Sequence, residues 1–305
     1  MVRMCRRTHD LDVDTVRRVI GDQIPWLAEE DVQPVDAPGT QSHLFRIGAR
    51  CATKFPVADP DGPPAIPTRS TIAAEHAAMR EFCSTTSVPS PTPLHLGRPT
   101  ALYPRWWSVQ TWVDGVTATP TSVASSDAFA ADVASLIHEV RAADIYNRSF
   151  TGSGRGGTLT AHDAWVDECL RRSDHILPVD ELRRAWTRSR LLPREDADVM
   201  AHTDLIPANL LATDSRLVGV LDTGGFSPAD PALDLVAAWH LFDADRRALL
   251  RESLDVDELQ WRRGAAWAFE QAIGLVWYYT DINPAMSELG RTTLGRLLDD
   301  PAFAV

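Results

Sequence analysis

Hydrophobic and polar positions in the first third of the chain alternate over short stretches that are separated by turn residues. This pattern predicts neighbouring β-strands over residues 44–47 and 51–57 and a later strand over 106–112. Apolar residues at helical spacing predict helices over 11–30 and 71–82. We therefore expect a small sheet accompanied by helices in this part of the chain.

A turn signal at Asp114-Gly115 follows the last of these strands. At 305 residues the chain is long enough for two lobes, because a single domain commonly takes ~100–200 residues. We predict an N-terminal lobe over residues 1–112, which ends with a hinge strand, and a C-terminal lobe over residues 113–305.

The rest of the chain mostly follows the period of a helix, with apolar faces over 129–140 and 261–276. The chain between these two segments follows a different pattern of apolar and polar residues. There, NLLATD and LVGVLD flank a polar turn and predict a β-hairpin with Asn209 at one end and Asp222 at the other. The aromatic residues of the late helix are predicted to be core rather than the lining of a pocket.

Composition excludes several classes of protein. The net charge of -12 opposes binding to a phosphate backbone, so nucleic acid is not an expected partner, although an acidic surface could attract a polycationic substrate. Four widely spaced cysteines do not form a disulfide framework or a Cys-x-x-Cys zinc site. No apolar run approaches the ~20 residues that span a bilayer, so we expect a cytoplasmic globule without a membrane partner.

The predicted hairpin and the loop before it carry a set of polar residues suited to phosphoryl transfer. Asp204 lies in a proline-containing loop before a strand, where a carboxylate can orient an attacking hydroxyl, and it is the candidate base. The hairpin brings the Asn209 amide close to the Asp222 carboxylate. Oxygen ligands of these types suit Mg²⁺, which would offset the charge on the phosphates of a nucleotide.

The order His-x-Asp-(x)4-Asn, an apolar hairpin, an Asp and then ADPALDL resembles the aminoglycoside phosphotransferase family and its protein-kinase-like relatives. The resemblance covers nearly the whole chain. It implies a two-lobed α+β protein kinase-like fold, with a small β-rich N-terminal lobe, a larger helical C-terminal lobe and a nucleotide bound between them. It also makes Asp204 the base, Asn209 and Asp222 the magnesium ligands, and His202 a support of the loop.

The resemblance further implies roles for residues of the N-terminal lobe. Lys54 occupies the position of the lysine that meets the nucleotide phosphates, and Glu75 would be its ion-pair partner. The stretch PGTQSH matches a short phosphate-covering hairpin. In it, Gly39 would let the backbone approach, while Thr40 and Ser42 would donate hydrogen bonds.

Two further pairs of residues are assigned by the same resemblance. Gln110 and Trp112 lie in the hinge strand, where main-chain groups would hold the adenine edge. Asp281 and Asn283 follow the late helix, in a region that helps to bind the acceptor in members of the family.

The chain departs from the family pattern at Thr203 and Thr223, where glycine and an aromatic residue are commoner. Thr203 would either tighten the loop or project a hydroxyl toward the substrate. A glycine-rich stretch over Gly152–Gly157 has the spacing of a dinucleotide fingerprint, but no strand precedes it. We predict a surface loop there, with the mobile edge of a substrate cleft as the alternative.

The predicted activity is transfer of the terminal phosphoryl group of ATP or GTP to a hydroxyl of an aminoglycoside-like or macrolide-like acceptor, which would make the protein an antibiotic-resistance kinase. One alternative is a kinase of a small metabolic alcohol. A second is a non-catalytic nucleotide-binding module. A metallohydrolase built on His202, Asp204 and Asp222 is a weaker alternative, because the further histidine ligands of such a site are absent from the motif.

Overall fold

A computed structural model describes residues 11–36, 42–57, 67–152 and 154–304. Contacts between Cα atoms divide the chain into two compact units. The first consists of the described residues of Met1–Ala77 and Pro91–Val113, and the second of those of Ala78–Ser90 and Asp114–Val305. Among the described residues, no helix has both the length and the apolar character needed to cross a bilayer.

The first unit contains most of the strands. Its elements in chain order are helix α1 (Val13–Gln23), strands β1 (Val32–Val35), β2 (Ser42–Ile47) and β3 (Cys51–Pro56), helix α2 (Arg69–Thr85), and strands β4 (Pro93–Gly97) and β5 (Trp107–Thr111). Helix α2 continues into the second unit.

The strands of the first unit form one antiparallel sheet in the order β1-β2-β3-β5-β4. The predicted strands are confirmed as β2, β3 and β5, and the predicted helices as a shorter α1 and a longer α2. Sequence patterning missed the two edge strands, β1 and β4. Each contains a proline, Pro34 and Pro93, and proline weakens a strand signal because it has no N–H to donate to a ladder.

The core of this sheet fixes the position of β3. Phe55 of β3 stacks on Trp107 of β5, with ring centroids 4.9 Å apart and an angle of 14° between the planes. Both side chains are fully buried. A Cβ atom on Gly97 of β4 would come within 1.9 Å of the Trp107 ring, so the tryptophan requires glycine at this point. Lys54 precedes Phe55 on β3 and is therefore carried by a well-anchored strand.

The second unit is mostly helical. Its further elements are strand β6 (Val116–Thr117), helices α3 (Pro120–Val123), α4 (Asp127–Arg141), α5 (Asp163–Arg172) and α6 (Val179–Ser189), strands β7 (Val199–Ala201), β8 (Leu210–Thr213), β9 (Arg216–Val220) and β10 (Ser227–Ala229), and helices α7 (Val236–Leu241), α8 (Ala244–Ser253), α9 (Glu258–Tyr278), α10 (Pro284–Leu298) and α11 (Pro301–Ala304).

The predicted hairpin is confirmed as β8 and β9, which β6 extends to a three-stranded antiparallel sheet. Asp214 and Ser215 form its turn with φ values of 49° and 59°, as the central residues of a type I′ turn require. Strands β7 and β10 pair separately in an antiparallel ladder. Strand β7 leads directly into His202, and β9 ends two residues before Asp222.

Helix α9 runs through the core of the second unit and packs against α5, α7 and α10. The helical faces predicted over 129–140 and 261–276 lie within α4 and α9. The prediction that the aromatic residues of α9 are core holds for Trp261, Trp267 and Phe269, which are buried. It is wrong for Tyr278, which is 43% exposed because the last turn of α9 emerges from the core.

Candidate active site

His202 links the loop over residues 202–209 to the end of the hairpin. It lies directly after β7 and is buried. Its Nε2 lies 2.9 Å from the carbonyl oxygen of Leu221, and its Nδ1 accepts the backbone N–H of Asp204 at 3.3 Å. Because a carbonyl oxygen only accepts, Nε2 donates this hydrogen bond and carries a proton. This is the supporting role that the resemblance implies for His202.

Asp234 holds the backbone of the same loop. Its two carboxylate oxygens accept the N–H groups of His202 at 2.7 Å and Thr203 at 3.0 Å. Burial raises the pKa of the Asp234 carboxyl, and the nearby His202, these hydrogen bonds and the charge of Arg141 only partly offset that rise. The carboxylate therefore serves as a buried clamp on the loop that presents Asp204.

Thr203 adopts a backbone conformation that glycine normally provides. Its φ of 73° is unusual for a β-branched residue, and such a conformation costs of order 1–3 kcal/mol. The Asp234 clamp and a bond of 3.3 Å from the Thr203 hydroxyl to the carbonyl oxygen of Gly225 hold it in place. The hydroxyl therefore tightens the loop, which is the first of the two alternatives predicted for it.

Asn209 brings its side-chain amide onto Asp204. Its Nδ2 donates to the backbone oxygen of Asp204 at 2.9 Å and to the carboxylate Oδ2 at 3.1 Å. The short 3-10 turn over Pro207–Asn209 closes the loop and leads directly into β8. The predicted base and the first predicted metal ligand thus lie in direct contact.

Two further side chains converge on the other oxygen of Asp204. Nη2 of Arg155 lies 2.8 Å from Oδ1, and Nε2 of Gln271 lies 2.6 Å from the same atom. Both the Arg155 and the Asp204 side chains are about one-third exposed, so solvent screens their ion pair in part. Asp204 is consequently an oriented carboxylate rather than a mobile surface acid.

Asp222 is placed by the residue before it. The Leu221 N–H donates to the backbone oxygen of Asn209 at 2.7 Å, and the Leu221 carbonyl accepts from His202. Asp222 itself is exposed and adopts a left-handed conformation, with φ 55° and ψ 42°. The backbone therefore turns sharply at Asp222. Leu221, the residue before it, is hydrogen-bonded to both ends of the 202–209 loop.

Asp230 has a different structural role from Asp234. Its Oδ2 accepts from Nε of Arg263 at 2.9 Å and from Nε1 of Trp267 at 3.0 Å, both on α9. All three residues are buried. The Asp230 side chain is therefore anchored to α9, whereas Asp234 clamps the 202–209 loop.

The residues predicted to meet the nucleotide phosphates lie in the first unit. Lys54 is half-buried on β3 and stands opposite Leu44 and Ser108 in the ladders with β2 and β5. Glu75 is exposed on α2, and Ser42 begins β2. Gly39 and Thr40 lie outside the described residues. The phosphate-binding roles of all these residues remain predictions.

The predicted hinge residues have contacts within the first unit. The Trp112 N–H donates to the carbonyl oxygen of Arg50 at 2.7 Å, and the guanidinium of Arg46 lies 4.6 Å from the centroid of the Trp112 ring. Gln110 pairs with Ala52 in the β3–β5 ladder. The N–H of Trp112 is thus already used in the protein, so an adenine contact at Trp112 would have to come from another group.

The two predicted acceptor ligands differ in their surroundings. The Asn283 side chain caps α10 by accepting the Met286 N–H at 3.3 Å, which accounts for an asparagine at this position. Asp281 is exposed at the end of the preceding turn. Binding of an acceptor by either residue stays a prediction.

Arg155 and Gln271 were not recognised from the sequence as site residues. Arg155 lies in the glycine-rich stretch that was predicted to be a surface loop. Gly156, with φ 106°, is held there by the bond from the Asp230 N–H to its carbonyl oxygen at 2.8 Å. Gln271 is one of three buried polar or charged residues on helix α9, with Arg263 and Glu270. The usable signals were an arginine between glycines and polar residues within a predicted core helix.

Clusters of three or more histidine, cysteine or acidic side chains that would suit a metal ion do not occur in the described part of the chain. The metal-binding role of the pair formed by Asn209 and Asp222 remains a prediction.

Comparisons with known proteins give a consistent result for the fold. The structure resembles the GDP complex of wild-type aminoglycoside 2'-phosphotransferase-IIIa, with 15% identity, a TM-score of 0.63, and coverage of 92% of this chain and 97% of that chain. For the streptomycin–ATP ternary complex of APH(2")-IIa, the identity is 16% and the TM-score is 0.62, and the match covers 97% of this chain and 98% of that chain. For macrolide 2'-phosphotransferase MphH from Brachybacterium faecium, the identity is 16% and the TM-score is 0.59, and the match covers 93% of this chain and 97% of that chain.

The fold is therefore kinase-like, with an antiparallel N-terminal sheet followed by a mostly helical region. A comparison with curated protein sequences gave no significant match. The model of the phosphotransferase enzyme family, APH, matches residues 25–269, which include the 202–222 segment and most of α9. The chain belongs to the APH phosphotransferase family.

Proposed function

We propose that this protein transfers the terminal phosphoryl group of ATP or GTP to a hydroxyl group of a small molecule. The observation that carries the proposal is the 3.1 Å hydrogen bond from Nδ2 of Asn209 to Oδ2 of Asp204. It joins a carboxylate that can orient a hydroxyl to an amide that can bind a cation. This combination suits in-line phosphoryl transfer, in which positioning and charge stabilisation dominate.

Asp204 would accept a hydrogen bond from the attacking hydroxyl. As the bond from the hydroxyl oxygen to the terminal phosphorus forms, the bond from phosphorus to the bridging oxygen of the nucleoside diphosphate breaks. The hydroxyl proton passes to the Asp204 carboxylate and from there to solvent. No covalent phospho-enzyme is needed for this reaction.

The residues present fit Mg²⁺. The Nδ2 group of Asn209 is engaged with two oxygen atoms of Asp204, which leaves the amide Oδ1 as the atom to bind a hard cation. Asp222 would supply a carboxylate oxygen two residues beyond the end of β9. When bound, Mg²⁺ would offset the negative charge of the nucleotide phosphates.

Residues of the first unit would contribute to nucleotide binding. We assign Lys54 to the phosphates with Glu75 as its ion-pair partner, and Ser42 to the phosphate-covering hairpin. Lys54 is suited to the role because β3, which carries it, is fixed by the buried Phe55. In the hinge strand, we propose that main-chain groups around Gln110 contact the base of the nucleotide.

An aminoglycoside-like or macrolide-like acceptor is the substrate class that we propose, and antibiotic resistance would follow from it. The similar structures include a complex with streptomycin and ATP and a macrolide 2'-phosphotransferase, which supports the class as a hypothesis for this chain. A small metabolic alcohol remains the alternative acceptor. Asp281 is the exposed residue that we propose for acceptor contact.

A screen for acceptor phosphorylation tests this function. Purified protein with Mg²⁺ and either ATP or GTP would be incubated with panels of aminoglycosides, macrolides and small alcohols, and each acceptor would be analysed for added phosphate by mass spectrometry. We expect at least one acceptor to gain a phosphoryl group at the expense of the nucleotide. Tight magnesium-dependent binding of nucleotide with no transfer to any acceptor or to water would instead identify a non-catalytic nucleotide-binding module.

A further inference from the structure

The two oxygens of the Asp204 carboxylate have different surroundings. Oδ1 receives two hydrogen bonds, from Arg155 at 2.8 Å and from Gln271 at 2.6 Å. Among the described residues, Oδ2 receives one, from Asn209 at 3.1 Å. A carboxylate oxygen can accept about two hydrogen bonds, so Oδ1 is filled and Oδ2 keeps the capacity for one more. Oδ2 is therefore the oxygen that can accept the hydroxyl of a substrate.

Gln271 is itself held from behind by His240. The Nε2 atom of His240 lies 3.1 Å from Oε1 of Gln271, and its Nδ1 lies 2.9 Å from the hydroxyl of Thr293. The amide oxygen can only accept, so Nε2 of His240 carries the proton and the Thr293 hydroxyl donates to Nδ1. The three hydrogen bonds therefore run in one direction: Thr293 donates to His240, His240 donates to Gln271, and Gln271 donates to Asp204.

This chain of bonds is buried and spans three helices. His240 of α7 and Thr293 of α10 are completely buried, and Gln271 of α9 is 7% exposed. Burial lowers the pKa of His240 to about 4, so its ring is neutral at physiological pH, as the bond directions require. The Gln271 amide can neither turn over nor withdraw without leaving a buried polar group unpaired.

On the basis of the proposed function, we infer that Gln271, held by His240, is a positioning residue that fixes Asp204 with Oδ2 toward the acceptor hydroxyl. Gln271 does not touch the reacting atoms. It acts by holding Oδ1, so that the base cannot rotate away from the line of attack. Misplacement of a catalytic group by ~1 Å can cost ~10²-fold in rate, so we expect losses of about tenfold to a hundredfold when this support is removed.

The test measures hydrolysis of magnesium-ATP, in which water takes the place of the acceptor, so that no acceptor needs to be known. Gln271→Met removes the donor to Asp204 at similar side-chain volume. Gln260→Met is the matched control, because Gln260 lies on the same helix and donates to another aspartate, Asp196, at 3.2 Å. We expect Gln271→Met to lower kcat about tenfold or more with an unchanged KM for ATP, and Gln260→Met to leave both values unchanged.

His240 variants distinguish positioning from a general loss of structure. His240→Met should lower kcat in the same way, and His240→Gln should restore most of it, because an amide nitrogen can replace Nε2. The double variant with Met at both positions should be no slower than Gln271→Met alone, since His240 acts through Gln271. The double variant removes both partners of the His240–Gln271 bond, so neither is left unpaired. It can therefore be assayed if a single variant folds poorly.

Three outcomes would overturn the inference. In the first, Gln271→Met turns over as fast as Gln260→Met. In the second, the losses of the two single variants multiply in the double variant. In the third, Gln271→Met raises the KM for ATP and leaves kcat unchanged. Failure of the proposed function itself is distinguishable, because Asp204→Asn would then hydrolyse ATP as fast as the wild-type protein. If Asp204→Asn is slow while Gln271→Met is not, only the positioning role is wrong.

Discussion

The stability of the second unit should depend on pH through His240, a buried histidine whose pKa is lowered from 6.5 to about 4. Desolvation is the largest cause, and the nearby positive charges of Arg155 and Arg296 act in the same direction. The hydrogen bond to Gln271 has the opposite effect and only partly offsets them. The ring is thus held neutral where a solvent-exposed histidine would take up a proton.

The sign of the effect follows from proton binding in the two states. Above pH 6.5, His240 is neutral in both the folded and the unfolded chain. As the pH falls from 6.5 toward 4, the unfolded chain binds a proton that the folded chain does not, so stability declines across this window. A pKa lowered from 6.5 to about 4 corresponds to a loss of roughly 3 kcal/mol, most of it complete by pH 4.

His240→Gln isolates this contribution because glutamine has no titratable group and can keep the hydrogen bond to Gln271. Urea unfolding of both proteins, followed by tryptophan fluorescence in steps from pH 7.5 to pH 4, gives the free energy of unfolding at each pH. Other titrating groups affect both proteins, so the difference between the two curves reports on His240. We expect the wild-type protein to lose roughly 3 kcal/mol more than the variant. Parallel curves across the window would refute a buried neutral His240.

Three further predictions concern the nucleotide site and the core. Lys54→Ala should raise the KM for ATP about tenfold or more without changing the thermal unfolding midpoint, and wild-type turnover at limiting ATP would contradict the role of Lys54. Asp222→Asn should lose the magnesium-dependent part of nucleotide affinity in calorimetry with a non-hydrolysable analogue, and retention of that part would remove Asp222 from the metal site. Arg263→Met should lower the free energy of unfolding by about 3–5 kcal/mol, because it leaves Asp230 buried without its cation, and a loss below about 1 kcal/mol in urea unfolding would contradict this.

The sequence was sufficient to predict the central part of the fold. The hairpin over 209–222 was predicted because alternating apolar residues flank a turn that requires special backbone angles. Helices α4 and α9 of the second unit were predicted from apolar spacing alone. The edge strands β1 and β4 were missed, because Pro34 and Pro93 lie in strands whose stability comes from a neighbouring strand rather than from their own pattern.

The candidate site could be predicted only as far as its motif extends. Asp204 and Asn209 lie five positions apart, and their contact follows from the local loop. Arg155 and Gln271 reach Asp204 from positions 49 and 67 residues away, so their contacts depend on how distant elements pack. A pattern of polar and apolar residues indicates which face of a helix is buried, but not which buried polar side chain finds which partner.

The role of Thr203 also required the structure. The sequence indicated a departure from the glycine that is commoner at this position, but not its effect. The φ of 73° explains why glycine suits the position, and the bonds to Asp234 and Gly225 explain how threonine is tolerated. The loop keeps its conformation at an energetic cost that the clamp from Asp234 offsets.

The most direct test of the central claim compares two aspartate-to-asparagine variants of the same segment. Asp204→Asn removes the proposed base, whereas Asp214→Asn changes an exposed residue in the turn of the hairpin, where asparagine also tolerates the left-handed conformation. Both proteins would be assayed with magnesium-ATP and the acceptor found in the screen, with phosphorylated product measured by mass spectrometry. We predict that Asp204→Asn lowers turnover by about 10²–10⁴-fold while Asp214→Asn matches the wild-type protein. Undiminished phosphorylation by Asp204→Asn would contradict the assignment of this site as the centre of phosphoryl transfer.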